Sequence, residues 1–345
     1  MARSCNPGGA VSDPRTALAA GYRRFAEEEA RGRSPLYEAL AAGVAGDPDV
    51  IAFLLALPAE KRQPNLLLAA ARHLFGTPKD WDQFRRTLLA NTDALRAFML
   101  THATQTNEPA RCAVLLPLLA RLPQPLALFE VGAAAGLCLL PDFYAYDYGT
   151  QRVHPLGADG AAPVFACSAG GATPLPSRVP EIVWRAGLDL APIDVTDRAH
   201  TEWLTSLVWP EQTERLARLK SALEITARHR PWIVKADLLA EEFEALCRDA
   251  PKDATLVVFH TAVLAYVADQ AQRQEFGRRA ISAAHYWISN EAPRVLPEIA
   301  SSAAKTDIPG RFLMAVNGEP VAWTDPHGAA LEWIADGRWK AARRG

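Results

Sequence analysis

The chain has 345 residues, and its 37 Lys and Arg against 39 Asp and Glu give a formal net charge of −2, so it lacks the concentrated positive charge that a nucleic-acid partner requires. With 49% hydrophobic and 22% charged residues it has the composition of a folded globular protein, which excludes disorder, coiled coil and collagen-like repeats. At about 150 residues per domain the length suggests two domains, or one α/β domain with a large extension.

Residues 1–14 are polar and rich in Gly and Pro after Arg3; they read as a disordered N-terminus without the apolar segment of a secretory signal. From 15 to 103 the pattern is helical: Leu18, Tyr22 and Phe25, then Leu66, Leu67, Ala70 and Leu74, recur at helix spacing without β-branched alternation. Ser34-Pro35, Asp47-Pro48 and Thr77-Pro78 each read as an N-cap with a first-turn proline. At 104 the chain changes character. Gln105, Thr106, Asn107 and Glu108 precede an apolar helix over 111–121, where Thr106 or Asn107 would be the cap. That helix is broken by Pro117 and is far shorter than the roughly 18 to 20 apolar residues of a membrane span, so no membrane partner is expected.

A short apolar strand over 126–129 ends in Glu130 and passes into Gly132-Ala133-Ala134-Ala135-Gly136. The expectation is strand, tight glycine turn, then a helix whose free N–H groups face a ligand. The Pro-rich stretch 141–192 reads as loop-rich. Further apolar runs follow at 182–185, 232–234, 256–259 and 286–289, with helical stretches over 201–228 and 239–248 between them, the alternation of a parallel sheet. Because ligands of open α/β sheets bind outside the carboxyl ends of the strands, Glu130, Asp189, Asp237, His260 and Glu291 are expected to converge there. The runs 312–316 and 321–323, joined by Asn317-Gly318, read as an antiparallel hairpin. Asp325 and His327 flank Pro326 and precede Gly328, which favours a turn over a metal site; no metal is expected. Residues 337–345 form a basic tail. Cys5, Cys112, Cys138, Cys167 and Cys247 contain no C-x-x-C, which suits neither a disulfide framework nor structural zinc and points to a reducing cytoplasm.

Gln105-Thr106-Asn107-Glu108 with Arg111-Cys112, the loop from Glu130 to Leu137, the segment from Gly187 to Asp194 and the strand end from Val257 to His260 together resemble a bacterial domain-of-unknown-function family, number twenty-three thirty-two. The resemblance covers about 22–334. It implies a Rossmann-like, methyltransferase-type domain over 104–336, mostly parallel with a C-terminal antiparallel hairpin, behind the helical region, and no established reaction. The chain departs from the family pattern at Ala134, where the pattern has Ser, and at Cys138, where it has Asn. Ala134 removes the hydroxyl that would make the loop a G-x-S-x-G nucleophile elbow.

The expected function is S-adenosylmethionine-dependent methyl transfer to a hydroxyl or amine of a small molecule. Glu130, Gly132 and Gly136 would hold the amino-acid part of the cofactor, Asp189 the ribose and Asp237 the adenine. His260 would be the general base, and Gln105, Asn107, Glu108, Arg111 and Glu291 would bind the substrate. A non-catalytic nucleotide- or cofactor-binding protein is the alternative. An NAD-dependent oxidoreductase is the second, disfavoured because the loop lacks G-x-G-x-x-G. Sequence alone names neither the acceptor nor the oligomeric state.

Overall fold

The computed structural model describes residues 13–105, 107–155, 162–170 and 172–335. The expected disordered N-terminus and basic tail lie outside these, except that Asp13 and Pro14 open the first helix. Two compact units emerge: Met1–Thr106 with Glu202–Leu216, and Asn107–Thr201 with Ala217–Gly345.

The first unit is the expected helical region, with α1 (Pro14–Arg24), α2 (Pro35–Gly46), α3 (Pro48–Leu55), α4 (Pro64–Phe75), α5 (Trp81–Ala90) and α6 (Thr92–Thr101). Proline stands in the first turn of α1 to α4, where a missing N–H costs nothing. Ser34 caps α2 through Tyr37 N, and Asp47 caps α3 through Asp49 N and Val50 N, as their sequence predicts. Thr77-Pro78 does not start a helix. It lies in a loop, and Asp80, whose Oδ1 accepts from Gln83 N at 2.8 Å, caps α5 instead. Tyr22, Leu40, Leu54 and Leu67 centre the core of this unit.

The helical unit also takes back residues 202–216, which sequence reading assigns to the α/β domain. The returning segment supplies what the bundle lacks. Glu211 accepts from Leu36 N at 3.0 Å and from Ser34 Oγ at 2.6 Å, covering the open N-terminus of α2 with a carboxylate. Trp209 Nε1 donates to Asn65 Oδ1 at 3.0 Å, Trp203 Nε1 donates to Ala103 O at 3.1 Å, and Arg72 donates to Val208 O. Trp203 joins the core itself.

In the second unit α7 (Arg111–Leu119) is buried throughout and leads into β1 (Leu126–Val131). Beyond β1 come β2 (Ala145–Asp147), β3 (Arg152–Val153) and β4 (Val164–Ala166), which form a small sheet of order β3-β2-β4, and β5 (Ser168–Gly170). Then follow β6 (Ile182–Asp189), α8 (Arg198–Ser206), α9 (Thr213–His229), β7 (Trp232–Lys235), α10 (Glu242–Asp249), β8 (Thr255–Thr261), α11 (Gln270–Ala283), β9 (Tyr286–Glu291), α12 (Pro297–Ala300), β10 (Phe312–Val316), β11 (Glu319–Thr324) and β12 (Ala330–Trp333).

The main sheet runs β5-β12-β11-β10-β9-β8-β1-β6-β7. From β7 to β9 every pairing is parallel, and from β9 to β12 every pairing is antiparallel, so the expected mostly parallel sheet with an antiparallel C-terminal end is present. Asn317 (φ 49°) and Gly318 (φ 86°) make the tight turn between β10 and β11. The chain leaves β1 toward β6 on one side and later returns to β8 on the other. That reversal is the sheet's switch point.

Two expectations fail here. The glycine loop is followed by single 3₁₀ turns at Leu137–Leu139 and Pro141–Phe143, not by a helix, because Pro141 lacks the N–H a continuing helix needs. The expected helix over 201–228 is two helices, parted around Pro210. The loop-rich stretch 141–192 also holds the short strands β2 to β5, which the sequence pattern does not mark.

Ser34 is fully buried and serves two partners, so Ser34→Ala strips both an N-cap and a hydrogen bond to a carboxylate. The expected cost is about 1–2 kcal/mol. It is read as a lowered urea midpoint with an unchanged slope; an unchanged midpoint would show that the returning segment does not hold α2.

Candidate functional site

β1 is covered on both faces, and strand parity decides what its side chains meet. Ala127, Phe129 and Val131 enter the large core of the sheet, packed with Phe243, Phe276 and Trp287. Glu130 therefore faces the other way. Glu130 pairs with Gly187 of β6 and Phe259 of β8, so Asp189 and Thr261, each two residues on, share its side. His260 follows Leu256 and Val258 onto the core side, and Glu291 follows Trp287 there. The five polar strand ends thus do not converge. Glu130 and Asp189 lie on one face, His260 and Glu291 on the opposite one, and Asp237 is exposed beyond β7 in a turn where its Oδ1 accepts from Leu239 N.

On the Glu130 side the glycine loop is locked by hydrogen bonds. Gly132 N and Ala133 N donate to Leu188 O at 2.7 and 3.2 Å, and Gly136 N donates to Ala133 O at 2.6 Å. Ala134 N donates to Asp189 Oδ2 at 2.8 Å and Ala135 N to Asn107 Oδ1 at 3.1 Å. Ile193 N returns a bond to Ala134 O at 3.0 Å, while Asp189 Oδ1 takes Ala191 N at 2.8 Å. All five amides of the loop are engaged, so the free N–H donors expected of it are absent.

The glycines explain how closely these pieces approach. A Cβ on Gly132, at φ 73°, would stand 2.3 Å from a methyl of Val263, and one on Gly187 would stand 2.5 Å from the Ala133 Cβ. Ala134 holds φ 47° with a side chain, a conformation that costs an L-residue about 1–2 kcal/mol.

Asn107 is not the cap of α7, whose N-terminus has no side-chain cap; its carbonyl serves the loop instead. Arg111 is 6% exposed, and its guanidinium donates to Pro326 O at 2.8 Å and Thr261 O at 3.0 Å, tying α7 to the end of β8. Glu108 is buried; its Oε1 accepts from Ala110 N and its carbonyl from Cys138 Sγ. Gln105 belongs to the helical unit. Asp325 makes the expected turn, accepting from His327 N.

Two buried polar atoms beside this lock have no partner, Glu130 Oε2 and Asn107 Nδ2. Burial pushes the Glu130 carboxyl well above the ordinary carboxylate range; Cys138 and Asp189 add to the shift and Arg111 opposes it. One is an acceptor and the other a donor, and each has a hydrogen bond left to make.

On the opposite face His260 is fully buried, with ring contacts to Phe276 and Trp287, and its Nδ1 donates to Glu291 Oε1 at 2.8 Å. The same oxygen accepts from Val263 N and Leu264 N at 2.7 and 2.9 Å. His260 is therefore not a base facing an acceptor at the loop. It helps Glu291 hold the turn after β8, the turn that seats Val263 on Gly132. Strand parity is the signal that finds this, and it is masked in a strand whose two faces are both apolar.

A family model described as an uncharacterized protein conserved in bacteria, DUF2332, matches residues 19–333. No curated protein matches the chain. A solved structure, a possible exported protein from Bordetella parapertussis, is similar at 13% identity over 82% of this chain and 71% of that one, with a TM-score of 0.27. Among the described residues no helix is long and apolar enough to cross a membrane.

Glu130→Gln tests the buried carboxyl. A carboxyl raised in the folded state binds its proton more tightly than in the unfolded chain, so it stabilises below the ordinary value near 4.5 and loses that contribution as pH rises. The amide does not titrate. The variant is expected to be more stable than the parent at pH 8, the gap closing toward pH 4.5, as read from urea unfolding across pH; a constant gap would mean the carboxyl does not titrate abnormally.

Proposed function

The chain belongs to the uncharacterised bacterial family DUF2332, and on that footing we propose that it binds S-adenosylmethionine at the carboxyl end of β1 and transfers a methyl group to a small molecule. The observation that carries this is the partnerless pair Glu130 Oε2 and Asn107 Nδ2 at the switch point. An amino acid group, with an ammonium and a carboxylate on one carbon, satisfies both. The cofactor supplies an electrophilic methyl on a sulfonium. Toward it Glu130 accepts from the ammonium, ionising as it does so, and Asn107 donates to the carboxylate. Asp189 accepts the two amides with one lone pair on each oxygen and keeps the others for the ribose hydroxyls. Asp237, exposed beyond β7, takes the adenine amino group.

Phosphate-bearing cofactors fit less well, because a phosphate is cradled by free backbone N–H groups and the loop has spent all of its own. That weighs against NAD and nucleotides. One observation favours a second reading, a cofactor-binding protein without turnover: His260 lies on the far face, leaving the loop without the base the reaction would use. We place the protein in the cytoplasm, a reading supported by Cys112, Cys138 and Cys167, which are buried free thiols.

Calorimetric titration is expected to give micromolar binding, about −8 kcal/mol, for S-adenosylmethionine and S-adenosylhomocysteine, and no heat for NAD or ATP. Glu130→Gln is expected to weaken the first two about tenfold, by the loss of one charge-assisted hydrogen bond. Binding of NAD with silence from S-adenosylmethionine would reverse the assignment.

A further inference from the structure

On the face of the sheet away from the glycine loop, the carboxyl ends of β8 and β9 and the start of β10 enclose a cavity of about 570 Å³, within the size range of small-molecule sites. Glu291 lines it and is 3% exposed. Its Oε1 is committed to His260 and to two backbone amides, whereas its Oε2 is buried without a partner. Three cations share the lining. Arg294 and Lys305 are exposed, and Arg311 has a buried Nη1 that is likewise without a partner. Trp323 supplies aromatic wall. A desolvated acceptor and a desolvated guanidinium donor in one apolar enclosure each leave a hydrogen bond unmade, and a ligand bearing both complements would make them.

We propose that this cavity binds a small aromatic hydroxy acid. Its carboxylate pairs with Arg311 in the field of Lys305 and Arg294, its ring packs against Trp323, and its hydroxyl donates to Glu291 Oε2. The charges select this class. A carboxylate answers the cations and supplies the acceptor that Arg311 Nη1 lacks, and a hydroxyl donates to Glu291 Oε2 without placing a positive charge beside them. The proposal does not rest on the cofactor reading, since its residues lie on the other face of the sheet.

The test is calorimetric titration of the full chain, with no cofactor added, using 4-hydroxyphenylacetate, phenylacetate, which lacks the hydroxyl, and 2-(4-hydroxyphenyl)ethanol, which lacks the carboxylate. The first is expected to bind, and each of the others at least about tenfold more weakly, because each leaves one buried protein group unpaired. Arg311→Gln is expected to weaken the first probe about tenfold or more with an unchanged melting temperature. Lys305→Gln, an exposed substitution that keeps the proposal testable if the Arg311 variant fails to fold, is expected to weaken it about threefold and to flatten its salt dependence. Silence from all three probes, equal affinities, or 4-hydroxyphenylacetate binding untouched by both substitutions would overturn the assignment. Failure of S-adenosylmethionine to bind would leave it standing.

Discussion

The second unit depends on one lock, the hydrogen bonding of the loop 132–136 to the strand end beside it. Leu188 O takes two of the loop's amides, Asp189 a third and Asn107 a fourth, while Ile193 closes over Ala134 O. Three stretches of chain, around 107, 132–136 and 187–193, are thereby held as one piece at the carboxyl ends of β1 and β6. Arg111 extends it to Thr261 at the end of β8, and Glu291 holds the next turn, whose Val263 rests on Gly132. The segments by which the sequence resembles its family are thus the segments that bind one another. Small residues serve close packing here: Gly132 makes room for Val263 and Gly187 for Ala133.

A lock of this kind changes what the loop can do. In a phosphate-binding turn the backbone amides are the ligand's partners; here they are the protein's, and polarity for a ligand is left to side chains. Glu130 and Asn107 retain unpaired atoms that are costly to bury, and the fold keeps them beside Ala134, whose backbone is itself strained. Each of these two side chains leaves a hydrogen bond unmade. The same pattern recurs across the sheet, where Glu291 spends one oxygen on the turn and keeps the other, unpaired, at a cavity.

Much of this was legible in the sequence, and the exceptions have physical causes. The strands at 126, 182, 232, 256 and 286 and the Asn317-Gly318 hairpin announced themselves by apolar runs and turn chemistry. Which face each polar end would occupy did not, because β1 and β9 are buried along their whole length and show no alternation to mark a side. Glu130 and His260 were expected together for that reason. Strands β2 to β5, of two or three residues among prolines and glycines, carry too little pattern to be seen. The return of 202–216 to the helical unit was hidden because an amphipathic stretch with Trp203 and Leu204 reads alike whichever core receives it. Thr77-Pro78 carries a capping signal, yet the cap of α5 forms three residues on, at Asp80, which local pattern did not single out.

The most direct measurement is amide hydrogen exchange over residues 130–138 in the full protein, compared with the interior of β1 and with an exposed turn such as 252–253. If the loop is locked as described, the amides of Gly132, Ala133, Ala134 and Ala135 exchange as slowly as those of β1, and Asp189→Ala releases Ala134 first. Exchange at the rate of the exposed turn would mean that those amides face solvent, and the lock would have to be abandoned.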